Sequence, residues 1–424
     1  MSPPSPQISP PPSPYASQNF SLLVVWFALF CDYCLLTLAV PIFPQLEKSE
    51  FETGVLFAMK AMTQILSAPI VARHVDSYNL EPLMLGLFVE ALSTVVFAFT
   101  KSYGAWCFAR AISGISSSCI ISSGFLHVQR RFANDPEGMG QSMSLVATGI
   151  IMGVTFGPPL GGLLYGISEP LPFLFLICLI CLCALLTYML SLRLPPDITD
   201  KADSVKETNE EFKSKLKKLL YDPNITITLL SLFCANAAIS CLEATFGLYM
   251  DKQFGFTVEQ IGMLYIIGAV PSVIGSKIAG DLGNKHGRWK VVWVGMVMQG
   301  GFYALGPKDN FPVEITSLIG LGLGMGLVDG CAPALLAQRA GSHHDGTGIV
   351  YTLNTMAVQG GFVFGPLVGS AIMQGMGFGK MSAVLGLAMV AVSPLMIVNR
   401  NMPLPGEEGV EFSKVGDGEI DEEL

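Results

Sequence analysis

The segment GVTFGPPLGGLLYG, Gly153 to Gly166, returns 208 positions later as GFVFGPLVGSAIMQG, Gly361 to Gly375. Both segments are apolar, and both place a Gly-Pro pair at their fifth position. The acid Asp76 and the amide Asn284 are separated by the same 208 positions. Agreement at one offset, on either side of a central polar stretch, indicates an internal duplication. We therefore expect two similar halves.

The composition is typical of a membrane protein. Of the 424 residues, 51 % are apolar and 13 % are charged, and the mean hydropathy is +0.53. An average soluble domain carries roughly 25 % charged residues. The net charge of -9 argues against a nucleic-acid-binding protein. The ten cysteines lie in apolar runs without metal-ligand spacing, and no nucleotide-binding or hydrolase motif is present, so we expect no metal, no cofactor and no enzymatic activity.

Twelve apolar runs are long enough to cross a bilayer, since a spanning helix needs about 20 mostly apolar residues. They lie at about 20–43, 53–72, 83–100, 103–126, 140–166, 172–192, 225–249, 258–279, 291–307, 312–336, 348–374 and 381–398. The sequence therefore predicts an all-α membrane protein with twelve transmembrane helices in two six-helix repeats.

The distribution of Lys and Arg predicts the orientation of these spans. With both termini in the cytoplasm, seventeen of the 24 bases fall in cytoplasmic segments and five on the opposite side. This asymmetry agrees with the positive-inside rule. The first residues lack the basic region of a cleavable signal peptide. We expect a multi-pass membrane protein with both termini cytoplasmic.

The expected division of the chain has five parts, which are a disordered Pro- and Ser-rich cytoplasmic tail at 1–19, an N-terminal six-helix half at 20–193, a cytoplasmic linker at 194–222, a C-terminal six-helix half at 223–398 and an acidic cytoplasmic tail at 399–424. The linker contains a predicted amphipathic helix that begins with a capping box from Thr208 to Glu211. Such a helix would lie on the inner membrane surface, either as a structural connector or as a site of lipid or calmodulin regulation.

The small residues of span five form a recognisable motif. Its pattern is set by Gly153, Gly157, Pro158, Gly161 and Gly162, and it resembles the motif of the drug:proton antiporters. Those proteins belong to the major facilitator transporters, which are built from duplicated six-helix halves. Glycines in this pattern allow a helix to bend and to pack closely, so we expect them to serve conformational exchange.

A second motif lies between spans eight and nine. The segment GDLGNKHGRWK, Gly280 to Lys290, resembles the loop signature of the major facilitator transporters and contains Gly287 and Arg288. Its copy in the first half is degenerate but retains Asp76. The resemblance implies that Gly280, Gly287, Arg288 and Asp76 also belong to the machinery of conformational change.

Five further segments resemble the vesicular amine transporters, over nearly all twelve spans. They are DYCLLTLAVPIFP from Asp32, LFAMKAMTQI from Leu56, ARAISGISSSC from Ala109, CLEATFGLYM from Cys241 and GMGLVDG from Gly324. Members of that family carry monoamines or acetylcholine into vesicles in exchange for protons. The resemblance implies that the intramembrane charges of that family correspond here to Asp32, Lys60, Arg110, Glu243 and Asp329.

The chain departs from that family at several positions. Tyr33 stands where the family has Asn, and Thr355 stands where the family has the Asp that pairs with the lysine of span two. Ser272 and Phe362 replace tyrosines, and the large glycosylated loop between the first two spans is absent. Glu90 is an additional charge in span three. These differences indicate a divergent or early-branching relative and not a neuronal transporter proper, and exchange of an amine for protons stays the expectation.

Six charged residues lie well inside the predicted spans, namely Asp32, Lys60, Glu90, Arg110, Glu243 and Asp329. A charge at the centre of a spanning helix costs at least about 2.5–3.5 kcal/mol on insertion scales. Four acids accompany only two bases, so ion pairing alone does not account for the acids. Such an excess suits a cavity that accepts protons or a cationic ligand.

The carboxylates are the predicted ligands. We expect Asp32 to bind the substrate ammonium and to take part in proton coupling, with an ion pair to Lys60 as the alternative. Glu243 lies 211 positions after Asp32 and is expected to bind protons or substrate from the other half. Asp329 is the expected proton carrier, with a helix-packing hydrogen bond as the alternative. Lys60 is expected to neutralise a carboxylate, and Asp32 is one candidate partner.

The remaining candidates are assigned by their position. Arg110 either relays protons or braces the helix bundle, and Glu90 either joins the charge network or packs structurally. Tyr33, Asn354 and Phe362 are expected to line the substrate site, where aromatic rings offer faces to a cation. Helix packing is the alternative role for each of these three.

The sequence favours a secondary active transporter that exchanges protons for an organic cation, a monoamine or a related amine, by alternating access. Multidrug or polyamine/proton antiport stays open, as does a non-transporting scaffold or receptor with the transporter fold. An intracellular vesicle or vacuole membrane is the favoured location, and the plasma membrane is the alternative. The expected partners are a small cationic substrate, protons and the lipid bilayer, and we expect a monomer.

Overall fold

The computed structural model describes residues 14–46, 49–75, 80–132, 136–193, 217, 219–306, 310–341 and 347–401. Four predicted features lie wholly or partly outside these residues. They are the Pro- and Ser-rich tail up to residue 13, Asp76, the capped surface helix that starts at Thr208, and the acidic tail after residue 401.

Twelve long helices make up almost all of the described chain. They are α1 (Pro14–Leu38), α2 (Glu50–Val75), α3 (Glu81–Phe99), α4 (Tyr103–Arg131), α5 (Pro136–Ile167), α6 (Leu171–Ser191), α7 (Pro223–Phe254), α8 (Val258–His286), α9 (Arg288–Leu305), α10 (Phe311–Gly341), α11 (Thr347–Met376) and α12 (Phe378–Val392). A short helix, Phe43–Leu46, precedes α2. The described residues contain no strand, so the predicted all-α fold is confirmed.

Eleven of the twelve helices in the described residues are long and apolar enough to cross a membrane. The remaining one, α9, has 18 residues and carries Arg288 and Lys290 in its first turn, which lower its mean hydropathy. It packs against α10 and α12, as a spanning helix of the second half would.

Two boundaries differ from the predicted ones. The first helix begins at Pro14, so residues 14–19 are helical instead of belonging to a disordered tail. Proline is favoured at a helix start because its missing N–H would have no partner there anyway. The predicted last span is α-helical only to Val392, and a 3₁₀ segment, Ser393–Asn401, follows. Pro394 lacks the backbone N–H that a continuing α-helix needs.

The duplication is visible in how α5 packs on α1 and how α11 packs on α7. Thr37 Oγ1 on α1 donates to the backbone oxygen of Gly153 on α5 at 3.1 Å. In the second half, Ser240 Oγ on α7 donates to the backbone oxygen of Gly361 on α11, also at 3.1 Å. Equivalent helices in the two halves are therefore joined by an equivalent hydrogen bond at repeat-related glycines.

The close approach of α5 to α1 depends on glycine. A Cβ atom at Gly157 would overlap with Thr37 Oγ1, and one at Gly161 would overlap with the backbone oxygen of Leu38. Gly365 has the same relation to α7 in the second half. Small residues let the two backbones touch in a membrane, where packing replaces the hydrophobic effect as the force between helices.

The two halves meet at helix ends that lie opposite to the linker, which we call the distal end. There, Lys252 at the end of α7 pairs with Glu50 at the start of α2, with 2.5 Å between Nζ and Oε1. Gly162 on α5 faces Gly262 on α8 at a distance that leaves no room for a side chain. Gly54 on α2 leaves equally little room beside α11. These contacts hold the distal end closed in this structure.

Candidate functional site

A buried ion pair lies in the N-terminal half. Lys60 Nζ on α2 donates to Asp32 Oδ1 on α1 at 2.8 Å, and the two side chains are only 4 % and 1 % exposed. Ser117 on α4 donates its hydroxyl hydrogen to the same oxygen. The Asp32 carboxylate is therefore held by an ammonium and a hydroxyl from two other helices. Lys60 has the partner that the sequence offered as one candidate.

Glycine also brings together the helices that carry this pair. A Cβ atom at Gly114 on α4 would overlap with the backbone oxygen of Lys60 on α2. One turn further along α4, Ser118 Oγ donates to the backbone oxygen of Gln64 at 3.2 Å. The close contact between α2 and α4 places the serines of α4 beside the charged groups.

Glu90 on α3 lies near the same pair. Its side chain is fully buried, and Oε2 is 3.5 Å from Ser116 Oγ. Among the described residues, Oε1 has no hydrogen-bond partner. Asp32 and Lys60 both lie within electrostatic reach of the Glu90 carboxyl group. The N-terminal half thus encloses two acids and one base in a single neighbourhood.

Arg110 on α4 is buried in an aromatic box. Its terminal nitrogens donate to the backbone oxygen of Leu36 at 3.4 and 3.3 Å, and its Nε has no partner among the described residues. Three rings surround the guanidinium group at 4.9, 5.4 and 5.9 Å from Cζ to the centroid, and they belong to Phe43, Phe57 and Phe97. Cation–π contacts of this kind hold a guanidinium group where water is absent.

Glu243 on α7 is the acid of the second half that interacts with Arg110. The two side chains attract each other electrostatically across the boundary between the halves. The hydroxyl of Tyr265 donates to the backbone oxygen of Glu243 at 3.4 Å. Within the described residues, the Glu243 carboxylate has neither an ion pair nor a hydrogen bond, and the residue is 8 % exposed. A carboxylate so placed is available to a proton or to a cationic ligand.

Asp329 on α10 is held by an amide. Asn236 Nδ2 on α7 donates to Asp329 Oδ1 at 3.3 Å. Gly326 and Gly330 let α10 lie against α8 on either side of this position. No cation is paired with Asp329 in the part of the chain that the structure describes. Among the described residues, Asp329 and Glu243 therefore resemble each other in lacking a base within ion-pair distance.

The three expected lining residues are dispersed. Tyr33 is half-buried next to Asp32 on α1, and Phe362 is half-buried on α11. Asn354 Oδ1 on α11 is buried and has no hydrogen-bond partner among the described residues. Within those residues, neither Asn354 nor Phe362 forms a hydrogen bond or a ring contact with the charged groups. The structure therefore shows contacts among the charged groups, but no such contact between those groups and Asn354 or Phe362.

The loop motif ties α8 and α9 to α10. Gly287 joins the two helices with a φ of 94°, a backbone conformation that favours glycine. Arg288 donates to the backbone oxygen of Ala334 at 3.0 Å and to Gln338 Oε1 at 3.3 Å. Gly280 faces open space. Asp76, which is the first-half counterpart of Asn284, lies outside the described residues.

The serines of α4 were missed from the sequence. Ser117 binds Asp32, and the adjacent Ser116 approaches Glu90. A run of three serines in an apolar span is a detectable signal, and Ser117 follows Arg110 by seven residues, which places both on one helix face. The phenylalanines around Arg110 gave no comparable signal, because the chain contains 26 of them.

Sequence comparison identifies relatives of this chain. The family profile of the Major Facilitator Superfamily matches residues 25–366 and 228–415. The chain is 30 % identical to the synaptic vesicular amine transporter of Rattus norvegicus over 361 residues, which cover 84 % of this chain and 68 % of that one. It is 30 % identical to the chromaffin granule amine transporter of Homo sapiens, with 86 % and 68 % covered. It is 29 % identical to the vesicular acetylcholine transporter of Mus musculus, with 84 % and 67 % covered.

Solved structures share the fold. The nucleoside transporter NupG superposes with a TM-score of 0.70 at 11 % identity, over 91 % of this chain and 100 % of that one. A bacterial homologue of the human lysosomal transporter Spinster superposes with a TM-score of 0.65 at 14 % identity, over 90 % and 95 %. From its helices, its repeats and these relatives, the chain belongs to the Major Facilitator Superfamily, and within it to the vesicular amine transporter family, whose members are transporters and not enzymes.

Proposed function

We propose that this transporter exchanges protons for an organic ammonium ion of the monoamine type across an intracellular vesicle membrane. The observation that carries the proposal is the buried pair of Asp32 and Lys60 between α1 and α2. A carboxylate that already holds an ammonium group away from water has the chemistry to hold a substrate ammonium in the same place. Relatives named for amines and for acetylcholine support this choice of substrate class.

The exchange follows from the high free energy of an unpaired charge in a membrane core. A substrate ammonium that binds Asp32 displaces Lys60, so another group must restore the balance of charge. Glu243 and Asp329 lack a basic partner within ion-pair distance among the described residues, and protonation neutralises them. Proton binding to these acids and amine binding to Asp32 then exclude each other, which is the physical basis of antiport.

Alternating access requires the distal end to open. With the termini in the cytoplasm, this end faces the vesicle lumen, where the substrate is released. Opening separates Lys252 from Glu50 and draws Gly162 away from Gly262. The pair of Lys252 and Glu50 is partly exposed to water, so its separation costs little. Separating Gly162 from Gly262 leaves no cavity, because no side chain has to be withdrawn from between the two backbones.

The substrate class is tested with the full chain in proteoliposomes whose interior is acidic. Uptake of radiolabelled serotonin, acetylcholine and spermidine is measured, each with the other two as competitors. We expect serotonin to accumulate most strongly and Asp32→Asn to abolish accumulation of all three. Glu169→Gln, at an exposed acid of the distal end, is the matched control and keeps the wild-type rate.

Each alternative has its own outcome in this assay. Preferred uptake of spermidine identifies a polyamine carrier. Absence of flux for every cation supports a non-transporting scaffold. Wild-type uptake by the Asp32→Asn protein contradicts the role of Asp32 as the ammonium site.

A further inference from the structure

Glu90 is a buried acid that the exchange described above does not use. It lies in the middle of α3 with no solvent exposure. Its Oε1 has no hydrogen-bond partner among the described residues, and its Oε2 has one neighbour, Ser116 Oγ, at 3.5 Å. A charged carboxylate in such a place would have only this one distant donor to compensate for the loss of water.

Ser116 is a weak donor to Glu90. Its hydroxyl hydrogen is shared between the backbone oxygen of Gly86 at 2.7 Å and Glu90 Oε2 at 3.5 Å. The bond to Gly86 is the shorter one, and 3.5 Å lies beyond the usual length of an O–H···O hydrogen bond. A charged Glu90 would therefore receive little compensation from this hydroxyl. The geometry thus fits a protonated, neutral Glu90.

The groups that face Glu90 come from four helices. Asp32 lies on α1 and Lys60 lies on α2, and α4 contributes Ser116. Three thiols come from α1 and α6. The thiols belong to Cys31, Cys34 and Cys183. Lys60 is the one cation among the described groups that act on Glu90. With Lys60 paired to Asp32, the neighbourhood is neutral only while Glu90 keeps its proton.

A neighbouring pair of serines joins the two acids. Ser117 donates to Asp32, and Ser116, the next residue on α4, is the neighbour of Glu90. The two carboxyl groups, on α1 and α3, therefore contact adjacent residues of α4. Lys60 is paired with Asp32 and also interacts electrostatically with Glu90, so it is a candidate partner for either carboxylate.

We propose that Glu90 is a proton-exchanging residue of this transporter, and that it releases its proton when an ammonium substrate takes Asp32 from Lys60. The deprotonated Glu90 then becomes the partner of Lys60. One cation enters the buried neighbourhood, one proton leaves it for bulk water, and the net charge inside does not change. This inference rests on the proposed exchange of protons for an amine and adds a residue that binds protons without touching the substrate.

The test needs no substrate, because Asp32→Asn mimics an Asp32 whose charge has been taken. Infrared spectra of the purified full chain are recorded in H₂O and in D₂O, where the C=O band of a protonated carboxyl group shifts. We expect a band in the wild-type protein that is lost in Glu90→Gln. We expect the same band to be lost in Asp32→Asn, since Lys60 then draws the proton off Glu90.

Two controls make the result specific. Glu243→Gln is the matched substitution at another buried acid and leaves the Glu90 band in place. Labelling with ¹³C-glutamate in the Glu243→Gln protein removes the contribution of the other proton-binding glutamate and needs no change at position 90. Loss of the labelled band on adding Asp32→Asn then tests Glu90 even if Glu90→Gln fails to fold. A band that is absent from the wild-type protein, or that persists in Asp32→Asn, overturns the proposal. Neither result depends on transport, so failure here is separate from failure of the amine/proton exchange.

Discussion

At the scale of single residues, the low dielectric of the membrane interior makes an unpaired charge costly, which favours a close partner for each buried charge. The Asp32 carboxylate receives an ammonium and a hydroxyl, and the guanidinium group of Arg110 receives three aromatic rings and a backbone oxygen. Glu243 and Asp329 have no basic partner within ion-pair distance among the described residues. Asp32 and Arg110, which have close partners, are suited to hold the helices together, and the two acids without a base within ion-pair distance are suited to change their protonation.

Replacing Lys60 by Met is expected to destabilise the protein. The change removes the cation and leaves a buried Asp32, and breaking a buried pair in this way costs about 3–5 kcal/mol. The double variant Asp32→Asn with Lys60→Met is expected to recover most of that loss, because neither buried charge remains. Unfolding of the purified proteins in detergent measures both effects.

The matched control for this prediction is Lys101→Met. Lys101 pairs with Glu169 at 2.5 Å in an exposed loop contact, and this hydrogen bond raises the pKa of Lys101. Exposed pairs contribute little to stability, so we expect no measurable change. Wild-type stability of Lys60→Met would show that Asp32 carries no charge in this state and would contradict the assignment.

The sequence located the buried charges but not all of their partners. A charge in an apolar run is visible in the sequence itself, because the residues around it are uncharged. The contact of Ser117 with Asp32 depends on how α1 and α4 are rotated. Spanning helices are apolar on every side, so hydrophobic periodicity does not reveal that rotation. The replacement of the usual acid by Thr355 was visible in the sequence, and it made Asp32 one candidate partner of Lys60, which is the pair that the structure shows.

At the scale of helices, glycine positions determine which helices pack closely. The glycines of α5 are divided between two neighbours, since Gly157 and Gly161 face α1 while Gly162 faces α8 of the other half. One motif therefore packs within the N-terminal half and also lies at the boundary between the halves. The sequence did not reveal this division, because adjacent residues on a helix point about 100° apart and the sequence does not show which direction faces which neighbour. The role of these glycines in conformational exchange stays a prediction.

Gly161→Ala is expected to destabilise the N-terminal half by about 1–3 kcal/mol, because the added Cβ atom would overlap with the backbone oxygen of Leu38. Gly301→Ala, inside α9, is the matched control, since a Cβ atom there meets nothing within 4 Å. Alanine has the higher helix propensity, so this control should be neutral or gain up to about 1 kcal/mol. Thermal unfolding compares the two, and equal effects would refute the packing role of Gly161.

Helix number was easier to predict than helix ends. The twelve apolar runs correspond to the twelve long helices of the described chain, since length and apolarity alone meet the requirement of a bilayer. The start of α1 at Pro14 and the 3₁₀ segment after Val392 were not predicted. Both depend on local proline geometry, which hydropathy does not record.

At the scale of the whole molecule, the duplication seen in the sequence becomes a repeated packing unit. The hydrogen bonds of Thr37 with Gly153 and of Ser240 with Gly361 lie at equivalent places in the two halves. Among the described residues, the charges buried within the spans differ between the halves, because the first half has the pair of Asp32 and Lys60, whereas Glu243 and Asp329 in the second half have no base within ion-pair distance. This difference, acting across a boundary that is closed at the distal end, is what amine/proton exchange would use.

The most direct test of the account is amine accumulation driven by an imposed pH gradient. Proteoliposomes with an acidic interior receive radiolabelled serotonin, and protein-free liposomes correct for passive trapping of the base. The account predicts that wild-type protein accumulates serotonin, that an ionophore which collapses the gradient releases it, and that Asp32→Asn accumulates none. Accumulation that survives collapse of the gradient, or that is undiminished in Asp32→Asn, would contradict proton-coupled exchange at this site.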